Sequence, residues 1–193
     1  MASAEEETPA SDALDEDGLV IQTYLSCVLV IVPATGFGEQ ALRFARSSLA
    51  NVHVGTRSVS SQYDEEVMGR LQDGFMVDER LAGQSMENYS GLLICGGESD
   101  ELASDADVLR LVKAASLAGK LIASYGNGLG ALAAAGVLKG VRVTGSSSCS
   151  DAARQAGASY SGRQVEVSGH VVTALDESSG MRFGKALAQI VAI

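Results

Sequence analysis

Between Leu121 and Leu132 a short apolar run, Leu121-Ile122-Ala123, passes through Ser124-Tyr125 into Gly126-Asn127-Gly128 and continues as the small-residue segment Leu129-Gly130-Ala131-Leu132. That order predicts a strand, a sharp turn and a helix, which commits the chain to an α/β fold with a sheet buried beneath helices. A turn of this kind presents a nucleophile at the end of a strand in enzymes that work by covalent catalysis. Here the position holds Gly126, which has no side chain.

The rest of the sequence supplies the sheet around that stretch. Val28-Leu29-Val30-Ile31-Val32 is a continuous β-branched and aliphatic run, the pattern of a strand buried on both faces. Pro33 and Gly36 break it, and from Glu39 the residues Leu42, Ala45 and Leu49 recur at helical spacing. Val52-His53-Val54-Gly55 is predicted as a short second strand, closing a right-handed βαβ unit. Val67, Met68 and Leu71 before Asp73-Gly74, followed by Phe75-Met76-Val77, predict a hairpin outside the parallel sheet. Gly91-Leu92-Leu93-Ile94-Cys95 resumes the buried-strand pattern and ends at Gly96-Gly97, where free backbone amides suit an oxyanion.

Ser104 or Asp105 is expected to cap a helix carrying Val108, Leu111, Val112 and Ala115, which Gly119 ends. Leu121 to Ser124 is then expected as the central strand, Leu129 to Ala135 as a closely packing helix, and Val141-Arg142-Val143 as a further strand. Gln164 to Val167 and Val171 to Leu175 flank Ser168-Gly169-His170 as a second hairpin. The closing helix has Phe183, Leu187, Ile190 and Val191 on one stripe, with Ser178 or Ser179 as its cap. These elements predict a three-layer α/β/α sandwich, flavodoxin-like, with a mostly parallel sheet.

The net charge of −10 is concentrated at the start, because Glu5, Glu6, Glu7, Asp12, Asp15, Glu16 and Asp17 precede the first basic residue. Residues 1–20 have few large apolar side chains and are expected to form a disordered acidic tail ahead of a single domain over 21–193. Without a Lys/Arg-rich stripe the chain lacks the electrostatic footprint of nucleic-acid binding. The apolar run from Cys27 to Val32 is too short to span a bilayer, and the acidic start resembles neither a secretory signal nor a transit peptide, so a cytoplasmic protein is expected. Cys27, Cys95 and Cys149 show no pairing pattern and no His at metal-ligand spacing, so reduced thiols and no metal are expected. Gly-Asn-Gly-Leu-Gly lies late in the chain and lacks the acidic ribose partner of a dinucleotide fingerprint, so no cofactor is expected.

From Val28 to Ile193 the chain resembles the DJ-1/ThiJ/PfpI superfamily, the class I glutamine amidotransferase-like group. The resemblance is carried by Val-Leu-Val-Ile-Val at the first strand, Leu-Leu-Ile-Cys-Gly-Gly where the family often has Leu-Pro-Gly-Gly, Ala-Ala-Gly-Val-Leu-Lys-Gly from Ala134 to Gly140, and the closing order of hairpin and amphipathic helix. It implies a homodimer and, in active members, a Cys on the elbow with a depressed pKa. In this sequence that position is Gly126. The family's acid partner falls at Ala41, with Glu39 two residues early, and its His at Ser146. Three coordinated losses point to a pseudoenzyme that binds a protein partner or a small anionic ligand, with a stress-related or chaperone role among those the resemblance implies. Gly96, Gly97, Tyr125, Gly126, Asn127 and Ser146 are the expected ligand-binding residues. Glu39, Cys95 and Cys149 are the remaining catalytic candidates for a relocated hydrolase of the glyoxalase, deglycase or amidase type. For each a plain structural role competes: a first-turn acid on the helix dipole for Glu39, and buried or loop thiols for the cysteines.

Overall fold

The computed structural model describes residues 13–14, 20–21, 24–63 and 66–191. Seven strands form the main sheet: β1 (Ser26–Ile31), β2 (Val54–Ser60), β3 (Glu79–Arg80), β4 (Gly91–Ile94), β5 (Leu121–Tyr125), β6 (Val165–Ser168) and β7 (Val171–Ala174). Their spatial order is β6-β7-β5-β4-β1-β2-β3, and every neighbouring pair is parallel except the β6–β7 hairpin. The middle of the sheet is therefore β4, with β5 beside it, rather than the Leu121–Ser124 run expected there.

Alternation along β1 divides the core in two. Val28, Val30 and Val32 face a cluster with Leu42, Ala45 and Leu49 of α1 (Glu39–Ala50) and Phe183 and Leu187 of α6 (Gly180–Val191). Leu29 and Ile31 face the other side, with α2 (Glu101–Ser104), α3 (Ala106–Leu117), α4 (Leu129–Ala134) and α5 (Ser150–Gln155). A strand apolar on both faces needs a helical layer on each, and this gives the three-layer sandwich. Asp105 caps α3 by accepting from the N–H groups of Asp107 and Val108 at 2.8 and 3.1 Å. Asp105→Ala is expected to cost about 1 kcal/mol, measured by urea denaturation.

Several local expectations are corrected. The second strand starts at Val54 and runs to Ser60, and His53 sits in the preceding turn at φ 58°, not in a strand. The first hairpin forms between Val67–Gly69 and Gly74–Phe75, but its left-handed residue is Gln72 and Gly74 is already in the strand. It extends a small separate sheet with Thr35–Phe37. Arg142–Val143 pairs with Ser159–Tyr160 outside the main sheet. Before α6 the cap is Asp176, which accepts from the Ser178 N–H at 2.9 Å, because its carboxylate reaches the first turn that Ser178 and Ser179 themselves occupy. Most of the stretch expected to be a tail lies outside the described residues, and Ala13–Leu14 pairs antiparallel with Val20–Ile21 at its end, which leaves that expectation untouched. Among the described residues no helix is long and apolar enough to cross a membrane.

Candidate functional site

The carboxyl ends of β4 and β5 frame the site, the usual location for ligands in open α/β sheets. β5 ends at Tyr125 in extended conformation, and the chain reverses at Gly126 with φ +58° through a 3-10 turn, Gly126–Gly128, into α4. A Cβ on Gly126 would meet only the Gly96 Cα, at 3.8 Å. The elbow has room for a side chain and has none. At Gly96, by contrast, a Cβ would lie 2.3 Å from the Tyr125 carbonyl oxygen, so only glycine lets β4 end this close to the elbow.

A cavity of about 360 Å³ opens here. Gly96, Gly97, Tyr125, Gly126, Asn127 and Ser146 all line it, so the structure brings together the six residues expected from sequence. Their parts differ. The Asn127 side chain donates to the Gly97 carbonyl at 3.1 Å and accepts from the Ser148 hydroxyl at 3.1 Å, tying the two loops together. Ser146 donates its N–H to the Gly126 carbonyl at 3.1 Å, and its hydroxyl lies 2.8 Å from that of Ser148. Tyr125 is buried, its hydroxyl donating to the Gly38 carbonyl at 2.9 Å and its ring set edge-on to Phe183. The N–H groups of Gly96 and Gly97 have no acceptor among the described residues.

The three catalytic candidates lie elsewhere. Glu39 is in the first turn of α1, 6% exposed, with one carboxyl oxygen accepting the Leu71 N–H at 2.7 Å. It holds the Val67–Phe75 hairpin against α1 and does not line the cavity. Ala41, at the position of the family's acid partner, is a core residue. Cys95 is wholly buried beneath Tyr125, and burial pushes its thiol up to about 12. Burial likewise raises Cys149, whose sulfur packs by the Asn127 carbonyl, and Cys27 at the start of β1. None of the three lines the cavity. Among the described residues no group of His, Cys, Asp and Glu is arranged to hold a metal.

Sequence reasoning missed Arg70, Asp176 and Glu177, which also line the cavity. Arg70 arrives on the hairpin, whose backbone is fixed to the Phe37 carbonyl and to Glu39. Asp-Glu before Ser-Ser was legible only as a helix start, and nothing local announces that both acids face a pocket.

The sequence profile of the DJ-1/PfpI family matches residues 27–190. Among solved structures, a ThiJ/PfpI domain protein from Brachyspira murdochii superposes with a TM-score of 0.80 at 20% identity, over 88% of this chain and 97% of that one. Drosophila melanogaster DJ-1beta gives 0.77 at 20% identity over 87% and 91%, and Schizosaccharomyces pombe DJ-1 gives 0.76 at 20% over 86% and 92%. At such identities the likeness speaks for the fold. No curated protein sequence matches the chain. The family profile covers the sheet, the elbow and both helical layers, and the chain belongs to the DJ-1/PfpI family.

Proposed function

We propose that this protein is a non-catalytic member of its family that binds a small polar ligand bearing an anionic group in the cavity at the Gly126 elbow. The observation that carries the reading is the elbow itself: the backbone turn, the adjacent glycine amides and the cavity are kept, while the position that would present a nucleophile is a glycine at φ +58°. The cysteines support the same reading, because thiolates are the reactive form and burial raises all three thiols. The family resemblance further supports a homodimer, for which sedimentation equilibrium is the direct check.

Wild-type protein is expected to show no turnover of reactive aldehydes, amides or peptides. Turnover abolished by Cys95→Ser or Cys149→Ser would overturn the proposal. Gly126→Cys is the complementary experiment. The new Cβ meets no clash, so the cost is that of a side chain in left-handed backbone, about 1–2 kcal/mol. The exposed thiol at a helix-entering turn is expected to react with a labelling reagent at least about tenfold faster than any native cysteine. Equal rates in variant and wild type would mean that the elbow no longer presents its side chain to the cavity.

A further inference from the structure

The cavity is lined by charges of both signs. Arg70 comes from the hairpin, and among the described residues its guanidinium has neither an ion pair nor a hydrogen bond. Asp176 and Glu177 come from the loop after β7. Each uses one carboxylate oxygen structurally: Asp176 Oδ1 accepts the Ser178 N–H, and Glu177 Oε1 accepts the Gln40 N–H at the start of α1 at 2.9 Å. Their second oxygens, Asp176 Oδ2 and Glu177 Oε2, have no partner among the described residues. The glycine amides of Gly96 and Gly97 add two more uncommitted donors.

A simple anion would gain Arg70 and the amides but face two carboxylates, and a simple cation would leave the guanidinium and the amides unanswered. Uncompensated groups of this kind cost free energy when a ligand displaces their water. We propose that the ligand is a small zwitterion of the amino-acid type. Its carboxylate is taken by Arg70 and the Gly96 and Gly97 N–H groups, and its ammonium by Asp176 Oδ2 and Glu177 Oε2. A guanidinium matches a carboxylate in a planar, two-bond geometry, which makes Arg70 the group that orients it. The cavity, about 360 Å³, also holds a short side chain. This inference rests on the cavity being a non-covalent binding site.

The test is a calorimetric and amide NMR titration of the full chain with L-norvaline and its two halves, pentanoate, which lacks the ammonium, and n-butylamine, which lacks the carboxylate. Norvaline is expected to move the Gly96, Gly97, Gly126 and Asn127 signals and to bind at least about tenfold more tightly than either half. Arg70→Gln should lower norvaline affinity about tenfold without weakening butylamine. Glu177→Gln, which keeps an acceptor for Gln40, should lower norvaline affinity without weakening pentanoate. Pentanoate binding as tightly as norvaline, or no binding by any of the three, would overturn the zwitterion assignment. Norvaline's own proton spectrum, followed in the same samples, separates the two claims: its conversion would overturn the non-catalytic reading while upholding recognition of the zwitterion.

Discussion

Between pH 9 and pH 11 the protein is expected to lose at least roughly 2 kcal/mol of stability, with Cys95 the largest contributor and Tyr125 adding to it. Both are buried side by side, Cys95 with its thiol pushed up to about 12 from 9.0 and Tyr125 with its phenol raised well above 10.0, each chiefly by burial. In the unfolded chain the thiol releases its proton near pH 9 and the phenol near pH 10, whereas the folded protein keeps both. The unfolded state then binds fewer protons than the native one, so stability is complete below pH 9 and falls as pH rises. For Cys95 the fall stops at about 12. Cys95 contributes about 1.4 kcal/mol per pH unit over its window, roughly 2 between pH 9 and pH 11, and Tyr125 adds to the fall from about pH 10 upward. Urea midpoints measured from pH 8 to 11 check this, and Cys95→Val should flatten the first part of the decline. A wild-type profile level across that range would contradict the burial of this pair.

Gly96→Ala is expected to cost about 3 kcal/mol and to abolish the proposed ligand binding, although it adds one methyl group. The methyl would sit 2.3 Å from the Tyr125 carbonyl oxygen and 2.9 Å from the Asn127 nitrogen. Both are backbone atoms of the elbow, so no rotamer change relieves the overlap, and β4 and β5 must separate where their carboxyl ends frame the cavity. Gly126→Ala is the informative control. Its methyl meets only the Gly96 Cα at 3.8 Å, so the penalty is limited to about 1–2 kcal/mol of left-handed backbone. Thermal denaturation of the pair distinguishes a steric requirement from a general intolerance of the region, and equal losses would remove the steric account.

The buried strands were legible because a parallel sheet covered on both faces writes its position as unbroken apolar runs, as at Val28–Val32 and Gly91–Cys95. The six residues brought together at the elbow were legible for a similar reason, since the strand-turn-helix order fixes which backbone ends converge. His53 was misread as a strand residue and the first hairpin's turn was placed at Asp73-Gly74 in place of Gln72, because left-handed backbone at a non-glycine residue follows from the geometry of the join, which local composition does not encode. Glu39 misled because its partner, the Leu71 N–H, lies 32 residues away. Arg70, Asp176 and Glu177 escaped notice because their convergence depends on a hairpin and a loop meeting in space.

The absence of sulfur from the cavity lining has a consequence for how such a site behaves under oxidative conditions. A low-pKa elbow thiol is attacked by peroxide and passes to sulfenic and higher acids, so a site built around one changes with the redox state of its surroundings. The groups here are peptide amides, hydroxyls, a guanidinium and two carboxylates, none of which peroxide oxidises readily. With Cys95 sealed beneath Tyr125 and Cys149 packed under the elbow, no cavity-lining group among the described residues is one that an oxidant readily alters, and the proposed binding is expected to be unchanged by peroxide treatment.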